Sequence, residues 1–560
     1  MHNASSIAAL VVLLAIACFG QNEHQHPQTS AYSKQSEMSD SESIGWVPRE
    51  LLERPLPLRT GLGNIHEKVS TSSAEAQAYY DQGLRYLHSY VWIEAARAFN
   101  QALRIDAGLA MAYVGLSRAY SGLEDQEKAL EAVQKAQQLA SHVSDWERRR
   151  VALRAMQVDA IRDIGNEAKH LAYRTAIEAA LNKNPEDVEL WLLLGNASEP
   201  TAAGRGQRGT ADSIAIYDEV LRRSPDNIAA HHYLVHSYET IGLPEEAIKH
   251  GEIYARLTPG VAHAQHMYGH DLQKVNRNEE AIAQFKKANA IEEAYYKNEN
   301  IPPKYDWHHM HNLDLMSVSY QYEGRIKEAG QLWLQAWMLP PVDGWWEVYK
   351  GKFPEFLLNT DRAQDALQYA RELEQGRWAV GRTYAHVIAA RALLALNRIS
   401  EAKQESAAAE AELQRVEEFN SDPIMPRPRE LPAMQMRVLH GEFALREGSK
   451  EEAEATFAGV EQGILAGSRQ AETFSNLFLL GYIAKEAREK GDWKLAEQTA
   501  RAMLKFDPNY AGGHLALALV LSHTGDKSTA QTEYETAIKR WSQADPDMTE
   551  MKLLQVVTAN

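Results

Sequence analysis

The chain has 560 residues and a single cysteine, and its 76 Asp and Glu residues outnumber its 59 Lys and Arg residues, for a net charge of −17. This acidic balance argues against nucleic acid as a partner, because no basic stripe is available to displace the counterions of the phosphates. The cysteine, Cys18, lies in an N-terminal apolar run, which excludes a disulfide framework, a cysteine zinc site and a catalytic thiol in the folded body.

The first 17 residues have the pattern of a signal peptide. Residues 7–19 read IAALVVLLAIACF, which is too short to cross a bilayer of about 30 Å as a helix but is typical of a signal-peptide core. Ala15 and Ala17 supply the small residues of a cleavage site, and Cys18 follows directly. This ending resembles a bacterial lipobox, in which the cysteine is acylated. We therefore expect an exported protein, periplasmic or secreted, with a membrane-anchored lipoprotein as the open alternative.

A repeat of 34 residues begins at Ala74. Each unit contains an alanine, a large side chain four residues later, and a second alanine three residues after that. The pattern recurs at Ala95, Phe99 and Ala102; Ala129, Val133 and Ala136; Ala281, Phe285 and Ala288; Ala329, Trp333 and Ala336; and Ala530, Tyr534 and Ala537. Each unit holds two apolar-periodic stretches separated by short turns, such as GLPEE at 242–246 and HTGDKS at 523–528, and therefore predicts a pair of helices.

This repeat resembles the tetratricopeptide repeat (TPR) family over most of the chain after Ala74. The resemblance implies an all-α fold in which helix pairs stack into a superhelix, an α-solenoid. The physics agrees, because one helix pair cannot bury its own apolar face and needs its neighbours to form a core. Small residues such as Gly83 are expected where paired helices approach closely, with Phe99 or Phe285 filling the space between them.

The repeat also predicts the organisation of the chain. Residues 18–73 begin polar and aperiodic and predict a mostly disordered tether. An N-terminal TPR array is assigned to 74–341, with a histidine-lined groove at 228–320, and a degenerate and C-terminal TPR array to 342–560. The segment at 291–309 departs from the repeat and is predicted to be an irregular insertion between helices.

Histidines are concentrated in one part of the array, because ten of the 21 fall within 231–311. His232 and His236 lie four residues apart in the first helix of one repeat, and His266 and His270 repeat this spacing 34 residues later. Residues four apart share a helix face with Cβ atoms about 5–6 Å apart, a spacing at which two imidazoles can chelate one metal ion.

The next repeat adds to the same set. A 14-residue insertion shifts its frame, so that His311 is level with His263 and Asp314 is level with His266. The predicted metal ligands are His232, His236, His263, His266, His270, His311 and Asp314.

Whether these residues can bind a ligand depends on which face of the helix they occupy. Apolar residues such as Leu234, Leu272 and Leu313 take the packing positions of the three helices, so the histidines lie off the core. The TPR resemblance implies that this remaining face lines the concave groove, where the side chains are expected to be exposed. Glu239 is the candidate general base. Both Glu239 and Asn312 are also candidates for ligands or for partners that fix an imidazole tautomer.

The other histidines of this region are given ordinary roles. His231 falls at a packing position between helices and is predicted to be a core residue, whereas His250, His308 and His309 are predicted to lie on the surface or in the insertion. The sequence carries no HExxH, CxxC, EF-hand, nucleotide-binding or GxSxG motif that would indicate another chemistry.

Two functions of different class fit these observations. The first is a binding scaffold whose groove holds a protein, peptide or small ligand, with the histidines as a polar wall. The second is a transition-metal site, for which imidazole-rich ligation favours zinc, copper or iron, and a metal-dependent hydrolase or oxidoreductase could use the same cluster. The set also resembles a group of His-rich exported bacterial TPR proteins, whose pattern has His where Asp314 stands here. We predict a TPR scaffold with a metal site in its groove and leave catalysis open.

Overall fold

The computed structural model describes residues 47–199, 209–340, 344–416, 430–466 and 473–558. The chain divides into two units, Met1–Ile44 and Gly45–Asn560. The first unit, which carries the predicted signal peptide and Cys18, lies outside the described residues. Among the helices of the described part, none combines the length and the apolar character needed to cross a membrane.

The described residues form 26 α-helices, two short 3-10 turns and no strand. The first helices are α1 (Arg49–Leu52), α2 (Ala74–His88), α3 (Trp92–Ile105), α4 (Ala110–Gly122), α5 (Gln126–Leu139), α6 (Asp145–Arg162), α7 (Glu167–Lys183), α8 (Val188–Ala197) and α9 (Ala211–Arg223). The histidine-rich region holds α10 (Ile228–Thr240), α11 (Pro244–Leu257), α12 (Ala262–Lys274), α13 (Asn278–Glu299), α14 (Trp307–Tyr322), α15 (Ile326–Met338) and α16 (Gly344–Asn359). The remainder are α17 (Ala363–Leu373), α18 (Ala379–Ala395), α19 (Ile399–Leu413), α20 (Glu430–Glu447), α21 (Lys450–Ala466), α22 (Thr473–Glu489), α23 (Trp493–Phe506), α24 (Ala511–Thr524), α25 (Lys527–Arg540) and α26 (Thr549–Thr558).

Successive helices pack as pairs, and a glycine facing an aromatic ring fixes how closely they approach. Phe99 of α3 is fully buried between Gly83 of α2 and Gly115 of α4, and a Cβ at Gly83 would lie 2.6 Å from its ring. The same contact recurs between Gly269 and Phe285, where a Cβ would lie 2.9 Å from the ring. The predicted all-α array of TPR-type helix pairs is confirmed.

The segment 47–73, which we predicted as the end of a disordered tether, packs on the array instead. Leu52, Leu56 and Leu62 are buried, and the carbonyl oxygen of Gly61 accepts a hydrogen bond from the backbone N–H of Gly260 at 2.9 Å. The leucines are too sparse to form a core of their own, but the array supplies the surface that each of them needs.

The array closes on itself through α13. The predicted irregular insertion is wrong for residues 291–299, because they extend α13 to 22 residues. Near the end of this helix, the hydroxyl of Tyr295 donates to Glu94 of α3 at 2.6 Å, and Glu299 lies 2.9 Å from the guanidinium of Arg97, which is fully buried. The first repeat is therefore held against the repeats that carry the histidines.

Candidate metal centre

Three imidazoles from α10 and α12 converge on one point. Nε2 of His232 lies 3.1 Å from Nε2 of His236 and 3.0 Å from Nε2 of His263. Ligand atoms of all three lie within 4.8 Å of one another. Nitrogens bound to a tetrahedral zinc ion at 2.0–2.1 Å are about 3.3 Å apart, so this spacing suits a single ion.

Hydrogen bonds fix the tautomers of three histidines in the cluster. In each of them Nδ1 donates to an acceptor, the pairs being His232 with the carbonyl oxygen of His88 at 2.6 Å, His266 with Oδ1 of Asn312 at 3.0 Å, and His308 with a carboxylate oxygen of Glu292. The amide nitrogen of Asn312 donates to the carbonyl of Phe285 at 3.1 Å, which sets the orientation of the amide. Because Nδ1 carries the proton, Nε2 is left with a lone pair, which is the arrangement found in metal-binding histidines.

The charge state of the cluster also suits a cation. Burial, reinforced by neighbouring imidazoles, lowers the pKa of His232, His263, His266 and His311 well below the usual 6.5. These rings are therefore neutral near pH 7, and the neutral ring is the form of imidazole that binds metal ions.

The predicted open groove is wrong at this position. His232 is fully buried and His263 is 4% exposed. The ring of Tyr90, in the turn after α2, lies over them with its centroid 4.3 Å from that of His232, 5.6 Å from that of His236 and 5.5 Å from that of His263. The contact of α13 with α3 brings this turn into the groove. The repeat pattern alone does not reveal that contact.

The remaining predicted histidine ligands, His266, His270 and His311, lie beside these three. The ring centroid of His266 lies 4.9 Å from that of His311 and 6.1 Å from that of His270. Asp314 does not join the converging nitrogens. It is buried in an ion pair with Lys352 of α16, whose Nζ lies 3.2 and 3.1 Å from its two oxygens. The prediction of Asp314 as a ligand is therefore not supported by its contacts.

The contacts of Glu239 do not favour the predicted role of general base. Its carboxylate lies 2.6 Å from Nδ1 of His270 and 3.1 Å from Nζ of Lys274. Burial opposes ionisation, but His270 and Lys274 outweigh it and hold the pKa of Glu239 well below its usual 4.5. A carboxylate stabilised in this way is a poor proton acceptor, so Glu239 fits the other predicted role, a partner that orients an imidazole.

The histidines outside the predicted set are only partly where we expected them. His231 is 3% exposed, which confirms the core prediction. His250, predicted at the surface, is half-buried, with its Nδ1 3.0 Å from Nδ1 of His231. His308 and His309, predicted on the surface or in the insertion, lie in the first turn of α14 and are 5% and 3% exposed.

Sequence reasoning missed the part of the cluster that depends on the extension of α13. That extension brings Glu292 under the start of α14, where its two oxygens accept from His308 and, at 2.8 Å, from His309. The sequence also does not reveal the role of His88, the last residue of α2, whose carbonyl oxygen orients His232. Neither contact follows the 34-residue frame, so no signal in the sequence pointed to them.

No protein-family model matches the chain, and no curated protein matches it. Several solved structures are similar to it at low identity. A human IFIT1 dimer with PPP-AAAA has 13% identity and a TM-score of 0.38, over 82% of this chain and 94% of that chain. The APC/C hetero-tetramer Cut9–Hcn1 has 12% identity and a TM-score of 0.31, over 87% and 97%. A tetratricopeptide repeat protein from Parabacteroides merdae has 15% identity and a TM-score of 0.32, over 46% and 91%.

These likenesses are too low to carry an inference about function. The chain's own helix pairs, repeated at 34 residues and joined by glycine–aromatic contacts, define it as a TPR-type repeat scaffold. The feature of this scaffold that a plain helical repeat does not need is the cluster of imidazoles between its first repeat and its central repeats.

Proposed function

We propose that this chain is an exported TPR-type scaffold that holds a transition-metal ion within its helix array, with His232, His236 and His263 as ligands. The observation that carries the proposal is the convergence of their three Nε2 atoms, at 3.0 and 3.1 Å from the central nitrogen. Imidazole ligands favour zinc, copper or iron over magnesium or calcium.

The protonation pattern gives a physical reason for a cation at this point. Nδ1 of His232 donates to the carbonyl of His88, so its Nε2 has a single lone pair. That lone pair cannot accept a well-directed hydrogen bond from His236 and His263 at once. With a metal ion bound, Nε2 of each of the three rings would donate its lone pair to the ion, and a tetrahedral site would keep a further coordination position for water or a small ligand.

The same geometry favours a metal site over a peptide groove here. Tyr90 occupies the space above the three imidazoles, and His232 and His263 are buried. A peptide would have to displace this turn before it reached them. The partner proposed for this site is therefore the ion together with a small ligand that completes its coordination sphere.

Metal analysis of the purified chain tests the proposal. After dialysis, the wild-type chain is expected to retain zinc, copper or iron, and His236→Gln is expected to lose the ion at this site. His231→Gln is the matched control. His231 is adjacent to the ligand His232 in sequence, but its two ring nitrogens contact the carbonyl of Pro225 and the ring of His250. A folded wild-type chain that binds none of these metals would refute the proposal.

Export is proposed from the N-terminal pattern, the apolar run at 7–19 with Ala15, Ala17 and Cys18. Mass spectrometry of the mature protein is expected to show an N-terminus at or after Cys18, with an acyl chain if the lipobox is used. Cys18→Ala would then release the protein from membranes. A mature protein that keeps Met1 would contradict export by this route.

A further inference from the structure

We propose that a second divalent transition-metal ion binds beside the first, held by His266, His308 and His311, so that the centre takes two ions. This inference rests on the proposed function, because the second position adjoins the first. His308 belongs to neither of the two repeated His pairs. It lies beside the other histidines because of how the helices pack.

Ring centroids in the second group, His266, His308 and His311, are about as close as those in the first. The ligand nitrogens of the first group alone all lie within 4.8 Å of one another, so a second ion would have to draw the rings of its group together. The centroid of His266 lies 4.4 Å from that of His308 and 4.9 Å from that of His311. In the first group the centroid of His232 lies 4.9 Å from that of each of its two partners. His266 is thus the central ring of the second group, as His232 is of the first.

His308 supplies the most direct sign of a ligand. It is 5% exposed, and its Nδ1 donates to the buried carboxylate of Glu292. Its Nε2 is buried and has no hydrogen-bond partner within the described part of the chain. A buried polar nitrogen without a partner is costly, and an ion coordinated by its lone pair would remove that cost.

His266 is prepared in the same way. Asn312 accepts from its Nδ1 at 3.0 Å and is itself fixed by the carbonyl of Phe285, so Nε2 of His266 also carries a lone pair. His266 and His308 therefore each have an oriented ring whose Nε2 carries a lone pair. Neither arrangement is needed for packing alone, since an apolar side chain of similar size would fill the space without a buried polar atom.

The two groups meet at His263. Its ring centroid lies 4.9 Å from that of His308 and 6.0 Å from that of His266. Two-metal sites in proteins are built from adjoining groups of ligands. The carboxylate of Glu292 contacts the ligand His308, and that of Glu239 lies 3.8 Å from Nδ1 of the ligand His236, so both offset part of the added positive charge.

Zinc stoichiometry of the full chain separates the two positions. The protein is stripped with EDTA, loaded with Zn²⁺, freed of excess zinc by gel filtration and analysed for zinc per chain. We expect two equivalents in the wild type, one in His308→Gln and one in His236→Gln. His440→Gln, which removes an exposed histidine of α20, is expected to keep both.

The outcomes distinguish the two proposals. One equivalent in the wild type, kept in His308→Gln and lost in His236→Gln, would overturn the second site and leave the first in place. No zinc in a folded wild type would overturn the second site, and the first site as well if copper and iron also fail to bind. If circular dichroism shows that His308→Gln does not fold, the half-buried His311 provides the second variant, His311→Gln, with the same expected loss of one equivalent. Two equivalents in every folded variant of this group would overturn the assignment of its ligands.

Discussion

Nδ1 of His232 donates to the backbone carbonyl of His88 at 2.6 Å, across 144 residues of chain. His88 is the last residue of α2, and His232 lies in α10, so the first helix pair orients the central ligand of the proposed site. The ligand geometry therefore depends on closure of the array as well as on the repeat that carries the histidine.

Metal binding is expected to raise the stability of the chain. An ion that binds only the folded state adds about 2.7 kcal/mol to the free energy of unfolding when its free concentration is 100 times its Kd. Urea unfolding of the wild type should show this increase with Zn²⁺ over EDTA, and double substitution of His236 and His308 by Gln should abolish it. An equal increase in the double variant would place the stabilising ion elsewhere.

Removal of a buried ligand is expected to cost stability even without metal. His266 is 1% exposed and bonded to Asn312, so His266→Ala leaves a buried amide oxygen without its donor, a loss of about 1–3 kcal/mol. The side chain of His236 is 14% exposed, and His236→Ala should have a smaller effect. Unfolding of both variants in EDTA checks this order. Equal and negligible losses would show that the cluster is accessible to water.

Glycine positions between paired helices are expected to be intolerant of any side chain. Gly83→Ala places a Cβ against the fully buried ring of Phe99, and overpacking of this kind typically costs about 1–3 kcal/mol. Gly463, within α21, has no atom within 4 Å of its added Cβ, so Gly463→Ala should stabilise the helix by up to about 1 kcal/mol. Thermal unfolding should shift in opposite directions for the two variants.

The pair of His250 and His231 predicts a loss of stability in mild acid. Burial, and then the neighbouring His231, lowers the pKa of His250 to about 4 from the usual 6.5. Below pH 6.5 His250 becomes protonated in the unfolded chain, whereas in the folded chain it stays neutral until about pH 4. This contribution to stability is therefore complete above pH 6.5 and is lost as the pH falls towards 4.

Urea unfolding between pH 7 and pH 5 in EDTA measures that loss. His250→Gln should have a shallower decline than the wild type, although the buried cluster histidines still contribute. An unchanged slope would mean that His250 titrates as it does in the unfolded chain.

The 34-residue frame was sufficient to predict the helix pairs, because each pair is a local unit whose apolar spacing repeats along the chain. It also placed His232, His236 and His263 on adjoining helices, since their register follows the repeat. The frame could not predict that α13 extends to Glu299 or that Tyr90 covers the cluster. Those contacts join residues far apart in sequence, and their side chains carry no periodic mark.

Buried histidines were hardest to predict for the same reason. His308 and His309 stand next to an insertion and look like surface residues until Glu292 is brought beneath them. The pairing of Asp314 with Lys352 likewise depends on α16, which follows a degenerate stretch of the repeat. Sequence position indicated which face of a helix these residues occupy, but only the neighbouring helices decide what covers that face.

The position of Phe99 between Gly83 and Gly115 has a consequence for how the array unfolds. Its ring is covered by a helix of its own repeat and by the first helix of the next, so loss of either repeat exposes a large apolar surface. Neighbouring repeats linked in this way melt cooperatively rather than one at a time. Because α13 also docks on α3, the helices from α2 to α13 are expected to exchange their amide hydrogens as a single cooperative unit.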